Sequence, residues 1–152
     1  MKLAEALVTR KDLNERIAHL KTRIHENLIV QEGERPSEDP GMLIQQLDQA
    51  QIDLTALVVA INKTNTLTAF EGYSSLGAAL AERDRLLAMR DAYASMARAA
   101  TVRQERYSQS EIKSTSVLSA TDLQKKADDA ARDFRLLDLK IQATNWAADL
   151  LD

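Results

Sequence analysis

The chain has 152 residues and a formal net charge of −3, with 45% hydrophobic and only 4% aromatic residues. It contains no cysteine, which excludes a disulfide scaffold, a thiolate metal site and a cysteine nucleophile. Four glycines and two prolines are too few for a turn-rich all-β fold, so the composition predicts one domain of long helices over residues 1–152.

Charge and hydropathy also bear on location and partners. Charged residues interrupt the N-terminal stretch, so it lacks the apolar run of a signal peptide. The most apolar run of the chain, residues 57–61, is far shorter than the roughly 20 residues of a membrane span. We therefore expect a cytoplasmic protein with no membrane partner. The net acidity argues against nucleic-acid binding, which needs a basic field.

The first two predicted helices cover residues 2–30 and 39–66. Apolar residues recur at spacings of three and four in both, which is the pattern of one apolar stripe along a helix. The stripe residues are Leu13, Ile17, Leu20 and Ile24 in the first helix, and Leu43, Leu47, Ala50, Leu54, Leu57 and Ile61 in the second. Gly33 and Pro36 break the chain between them, and Asp39 followed by Pro40 is typical of a helix start. The short break predicts antiparallel neighbours.

The charge along these two helices is uneven. Residues 2–25 carry six basic and three acidic side chains, whereas residues 26–54 carry seven acidic side chains and one basic. The ordinary interpretation is solvated helix faces. The alternative is head-to-tail electrostatic pairing between subunits.

The third predicted helix covers residues 75–103 and holds nine alanines between positions 78 and 100, which would let another helix approach closely. Phe70 and Tyr73 lie in the break before it. We expect these two aromatic side chains to cover the ends of the helices; stacking on a ligand is the alternative.

The fourth predicted helix covers residues 121–150 and follows a segment, 104–120, that lacks periodicity and fits an irregular connection or a short β-hairpin. Thr121 and Gln124 have the spacing of a capping box. The helix carries two apolar seams, roughly 130° apart. The first is Leu123, Ala127, Ala130, Phe134, Leu137, Ile141, Ala148 and Leu151; the second is Leu136, Leu139, Ala143, Trp146 and Leu150. A surface helix needs one apolar stripe, so the second seam predicts the interface of a homo-oligomer.

Familiar catalytic and metal-binding motifs are missing from the sequence. His19 and His25 do not share a helix face, and neither ends a Glu-x-x-His pair. There is no His-Glu-x-x-His motif, Gly-rich phosphate loop or Gly-x-Ser-x-Gly elbow. We predict no catalytic residues, no metal and no cofactor, and a non-enzymatic function more than an enzymatic one.

Two polar groupings remain as candidate sites. Asn62 and Asn65 would come level with Arg83 and Asp84 if the second and third helices are antiparallel, forming either a polar layer that fixes their register or a small polar pocket. A second grouping could bind a small anion or nucleotide, because arginine suits two-point contact with phosphate or carboxylate. It comprises Arg103, Arg106, Ser108, Ser110 and Lys113. The alternative is that these loop side chains are solvated or paired with nearby glutamates.

Several phrases, in order along the chain, are similar to those of a group of small bacterial helical proteins known as septicolysin. They are residues 1–7, 31–34, 62–65, 81–84, 107–113 and 145–146. The resemblance implies a helical protein of uncharacterised function. The family name implies a cytolysin, which this chain does not support because it has no secretion signal, no membrane-inserting segment and no tryptophan-rich loop.

The sequence thus predicts an all-α fold of four long helices, arranged as antiparallel coiled-coil hairpins or a bundle. The leading functional hypothesis is a cytoplasmic, self-assembling interaction protein. The alternatives are an oligomer that binds a small anion or nucleotide through residues 103–113 and, remotely, a membrane-active cytolysin.

Overall fold

A computed structural model describes residues 1–101 and 114–151. It contains four α-helices: α1 (Leu3–Asn27), α2 (Pro40–Leu67), α3 (Leu76–Ala100) and α4 (Ala120–Ala147). The predicted all-α class and the four helices are confirmed. Residues 114–119 are non-helical, and the rest of the predicted irregular segment lies outside the described residues.

The contacts divide the chain into two compact units. The terminal unit comprises residues 1–69 and 143–152, and the central unit comprises residues 70–142. Helix α4 is continuous and runs from the central unit into the terminal unit. The prediction of a single domain stays a prediction.

Helices α1 and α2 of the terminal unit form an antiparallel hairpin around the predicted stripes. Ile17, Leu20 and Ile24 are buried against Leu43 and Ala50, with Leu47 and Leu54 packed at the edge of this cluster. The two stripes therefore face each other and bury apolar surface. Each Å² of apolar surface that is removed from water stabilises the fold by about 25 cal/mol. Asp39 Oδ1 accepts a hydrogen bond from Gly41 N at 2.8 Å and Pro40 is the first helical residue, as predicted.

Asn27 ends α1 and fixes the connection to α2. Its side chain donates to Arg23 O at 2.9 Å and accepts from Glu38 N at 2.9 Å, so a buried amide satisfies two backbone groups. Arg23 binds the Glu38 carboxylate through two nitrogens, and these hydrogen bonds lower the pKa of Glu38. Gly33 adopts a left-handed φ of 90° in a turn that lies beyond the end of α1 and is closed by the hydrogen bond from Glu34 N to Gln31 O.

The other end of the terminal unit is closed by the segment that follows α4. Leu3 N donates to Ala148 O at 3.0 Å, and Leu150 N donates to Met1 O at 2.9 Å. Lys2 Nζ donates to Ala147 O at 3.0 Å and pairs with Asp149 at 2.9 Å. We call this set of contacts between residues 1–3 and 147–150 the terminal clasp.

Helices α3 and α4 pack antiparallel within the central unit. Arg83 near the start of α3 reaches Asp138 at 3.5 Å, and Lys126 near the start of α4 lies 5.5 Å from the ring centroid of Tyr93. Residues early in α3 therefore contact residues late in α4, and residues later in α3 contact residues early in α4. The buried side chains of this unit include Leu76, Ala79, Ala97, Leu123, Ala127, Ala130, Leu137 and Ile141.

The start of α4 differs from the prediction. Ser119 Oγ accepts a hydrogen bond from Asp122 N at 3.2 Å, so Ser119 is the capping residue. Gln124 points forward along the helix, where its Nε2 donates to Asp128 at 2.9 Å. The predicted Thr121–Gln124 capping box is therefore wrong, and the N-cap lies two residues earlier, at Ser119. A serine two positions earlier has the same capping chemistry as Thr121.

Candidate functional site: the exposed apolar stripe of α4

The two predicted seams of α4 differ in burial. The first faces the protein interior, where Leu123, Ala127, Leu137 and Ile141 are buried. The second remains exposed to solvent: 56% of Leu136, 68% of Leu139 and 61% of Trp146 are accessible. Ala143 is also exposed and Leu150 is half-buried. We call Leu136, Leu139, Ala143 and Trp146 the α4 stripe.

The spacing of the α4 stripe follows from the helix itself. Its members recur at intervals of three, four and three residues on one continuous α-helix, so they lie on one side of it. Ile141, between Leu139 and Ala143 in sequence, has 0% exposure on the other side. The helix therefore buries one apolar face in its own chain and presents a second one to solvent.

A small cleft adjoins the stripe in the central unit. Its volume is about 220 Å³, and its lining residues are Phe70, Glu71, Tyr73, Asp133, Leu136, Leu137 and Lys140. We call it the turn cleft, because Tyr73 N donates to Phe70 O at 3.1 Å across a tight turn in which Gly72 takes a φ of 83°. The Phe70 and Tyr73 rings pack edge to face with centroids 5.9 Å apart. Leu136 thus belongs both to the stripe and to an aromatic-edged recess.

Charged side chains border the stripe. Arg132 pairs with Asp129 and Asp133, each at 3.0 Å, and these partners raise the pKa of its guanidinium. Lys140 lies 3.9 Å from Glu71. Arg135 is exposed and makes no ion pair among the residues that the structure describes. The stripe is therefore flanked by paired charges and by one unpaired arginine.

The predicted polar layer of Asn62, Asn65, Arg83 and Asp84 stays a prediction, although the structure places each of its residues. Arg83 donates to Asp84 Oδ1 at 2.9 Å and 3.1 Å. It also donates to Asp138 at 3.5 Å, a partner that the sequence reasoning missed. Asn62, exposed, and Asn65, half-buried, lie on α2 in the terminal unit, and their predicted bonds to Arg83 stay a prediction.

The predicted anion-binding residues Arg103, Arg106, Ser108, Ser110 and Lys113 lie outside the described residues. A cleft of about 480 Å³ lies in the central unit, between the end of α3 and the start of α4. It is lined by Ala97, Arg98, Thr101, Ala120, Thr121, Gln124, Lys125 and Asp128.

Metal-binding clusters and helices able to span a membrane are both absent from the described residues. Residues 1–101 and 114–151 hold no group of three or more histidine, aspartate and glutamate side chains placed to bind a metal ion. Among the helices in those ranges, none has an apolar stretch long enough to cross a membrane. His19 and His25 are both exposed on α1.

Thr64 is a buried polar residue whose role the sequence reasoning missed. It has 0% exposure; its Oγ1 donates to Ala60 O at 2.8 Å and accepts from Leu151 N at 2.9 Å. The hydroxyl thus fixes the C-terminal segment to α2. A threonine within a helix gives no sequence pattern that identifies a partner 87 residues away.

The fold and the exposed stripe define a protein of antiparallel helical hairpins. The chain belongs to a family of unknown function, DUF6847, which it matches over residues 10–150. The crystal structure of a functionally unknown conserved protein from Corynebacterium diphtheriae is similar, with 40% sequence identity, a TM-score of 0.93 and 99% of each chain covered. A search of curated proteins finds no match.

The resemblance to septicolysin is wrong. The family match and the similar crystal structure both carry a description of unknown function, and neither points to septicolysin. The phrases behind the resemblance are two to seven residues long, and phrases of that length also recur in unrelated chains. The cytolysin alternative that depended on the name is withdrawn with it.

Proposed function

We propose that this protein is a non-enzymatic, cytoplasmic interaction protein that works through self-association, with a second copy of the chain covering the α4 stripe. The observation that carries the proposal is the exposure of Leu136, Leu139 and Trp146 on a helix whose other face is already buried. Single exposed apolar residues are ordinary on protein surfaces. A helix-periodic row of them that includes a tryptophan is typical of an interface.

The energetics favour a helical partner for the stripe. Covering apolar surface contributes about 25 cal/mol per Å², and tryptophan has one of the largest apolar areas of any side chain. The small Ala143 between the larger members leaves space into which a facing side chain can pack. A second α4 offers a matching set of large and small side chains, so self-association requires no other partner.

Sedimentation velocity over a micromolar concentration series tests the proposal. We expect the wild-type chain to form an oligomer and Leu139→Ser to weaken its association constant by about tenfold or more, since 1.4 kcal/mol corresponds to tenfold. Val59→Ser is the matched control, because Val59 is an apolar residue of similar exposure, 62%, on a different helix, α2. A wild-type chain that sediments as a monomer throughout would contradict the proposal.

A second candidate function is the binding of a small anion, and the cleft beside the ends of α3 and α4 favours it. Arg98 and Lys125 both line this cleft with two threonines, and neither makes an ion pair within the described ranges. Inorganic phosphate should raise the melting temperature of the wild-type chain and raise it less in Lys125→Ala. Lys126→Ala is the control, since Lys126 contacts Tyr93 and does not line the cleft. Equal shifts in all three proteins would exclude this candidate.

A further inference from the structure

The connector between α1 and α2, residues 28–39, exposes three consecutive aliphatic side chains. Ile29 is 87% accessible to solvent, Leu28 57% and Val30 43%. Ile29 is the most exposed large hydrophobic residue among the described residues of the terminal unit. Single exposed apolar residues are ordinary on a protein surface, whereas a cluster of them is typical of a binding surface. We call Leu28, Ile29 and Val30 the connector patch.

Hydrogen bonds hold the connector in a defined conformation. The Asn27 side chain bonds the backbone on both sides, and Arg23 binds the Glu38 carboxylate through two nitrogens. Glu34 N donates to Gln31 O at 3.0 Å and closes the turn. A preformed surface loses little conformational entropy when a partner docks on it. The connector patch is therefore presented on a preorganised support.

A recess of about 360 Å³ opens beside the patch. Ile29 and Val30 line it together with Pro36, so part of its wall is apolar. Glu26 and Glu34 also line it, and both are exposed. A lysine or arginine side chain suits such a recess, because its methylene stem packs against apolar groups while its cation meets the carboxylates.

Acidic side chains outnumber basic ones around the patch. Glu26, Glu32 and Glu34 are exposed and make no ion pair in the part of the chain that the structure describes. Arg35 is the single basic residue within 26–35. The surplus of negative charge beside exposed aliphatic groups complements a partner that is both apolar and basic. It also repels the anionic headgroups of a membrane surface.

We propose that the connector patch and its recess form a docking site for a short apolar and basic segment of another protein. Aliphatic side chains of that segment cover Ile29, and one of its lysine or arginine side chains enters the recess between Glu26 and Glu34. The site lies at the opposite end of α1 from the terminal clasp, about 37 Å along the helix of 25 residues. It uses no residue of the α4 stripe, so it does not depend on the proposed self-association.

Fluorescence anisotropy with defined peptides tests the proposal on the full-length chain. The probe is a short labelled peptide of alternating leucine and lysine, and the control peptides replace either lysine by glutamate or leucine by serine. We expect the leucine–lysine peptide to bind most tightly and Ile29→Ser to weaken its binding about tenfold, as the loss of a buried aliphatic contact does. Ile52→Ser is the matched control, because Ile52 is 62% exposed on α2.

Charge variants distinguish this site from a general attraction to an acidic protein. Glu26→Gln combined with Glu34→Gln should weaken binding and reduce its salt dependence. Arg35→Gln should strengthen binding, because it removes the cation that repels the lysines of the peptide. Asp12→Asn combined with Asp48→Asn removes the same charge from exposed positions elsewhere in the terminal unit and should leave binding unchanged.

The outcomes also decide between the possible occupants. Weaker binding to Ile29→Ser and to the double glutamate variant, with tighter binding to Arg35→Gln, supports the docking site. No binding to the wild type, equal binding to all variants, or equal binding of the leucine–glutamate peptide would overturn it. An equal loss in Leu139→Ser would overturn it too, since the peptide would then lie on the α4 stripe. Flotation of the wild type with phosphatidylcholine vesicles that Ile29→Ser abolishes would assign the patch to membranes instead.

Discussion

At the scale of a single residue, Lys2 joins the two chain segments that make up the terminal unit, residues 1–69 and 143–152. Its ammonium contacts the carbonyl of Ala147, where α4 ends, and the carboxylate of Asp149. A cation at a helix C-terminus is also stabilised by the partial negative charge of the last carbonyl groups. The sequence could not predict this contact, because 145 residues separate Lys2 from Ala147. Local patterns carry no information about such pairings, and the same limit applies to Thr64.

Acid should weaken the contribution of this contact to stability. The hydrogen bond from Lys2 holds the pKa of Asp149 below its ordinary value of 3.8, so the folded state favours the charged carboxylate. The contribution is present in full above about pH 4 and is lost as the pH falls through the lowered pKa. We expect Asp149→Asn to have a lower melting temperature than the wild type at pH 7, with the difference shrinking below pH 4.

Differential scanning calorimetry between pH 7 and pH 2.5 measures this difference. Asp12→Asn serves as the control, because Asp12 is exposed on α1 and makes no ion pair in the part of the chain that the structure describes. A difference between wild type and Asp149→Asn that is unchanged across this range would show that the charge of Asp149 has no role in the terminal clasp.

The helices were predictable at the scale of elements because apolar periodicity and breakers are local. The stripes of α1 and α2, the cap at Asp39 and the two seams of α4 all appear in the sequence as spacings of three and four. The ends of helices were less predictable. Helix α1 stops at Asn27 because its amide bonds the backbone on both sides, and this depends on where Glu38 lies after folding.

The start of α4 gives a test at this scale. Ser119 caps the helix, whereas Thr121 lies two residues further on, inside it. Ser119→Ala should lower the free energy of unfolding by about 1 kcal/mol, the ordinary contribution of an N-cap. Thr121→Ala should change it by less than about 0.5 kcal/mol, as exposed helix positions do. Urea denaturation followed by circular dichroism measures both, and a larger loss for Thr121→Ala would contradict the assignment of the cap.

At the scale of the whole molecule, the chain has more apolar residues, 45%, than the cores of two helical hairpins require. Two helical hairpins need one buried stripe on each helix, and α4 has a second one. The sequence located this second stripe at Leu136, Leu139, Ala143, Trp146 and Leu150, and burial then divided the five into exposed members and a half-buried Leu150. It could not locate the turn cleft, because that cleft forms only when Phe70 and Tyr73 fold against α4.

Trp146 allows the most direct measurement of the central claim, that the α4 stripe is covered by a second copy. It is the only tryptophan in the chain and is 61% exposed in the single chain, so its fluorescence reports on the stripe alone. We predict that its emission maximum shifts to shorter wavelength as the protein concentration rises through the micromolar range. The same shift should require higher concentrations in Leu139→Ser and be unchanged in Val59→Ser. An emission maximum that stays at the wavelength of a solvated indole at every concentration would contradict the account.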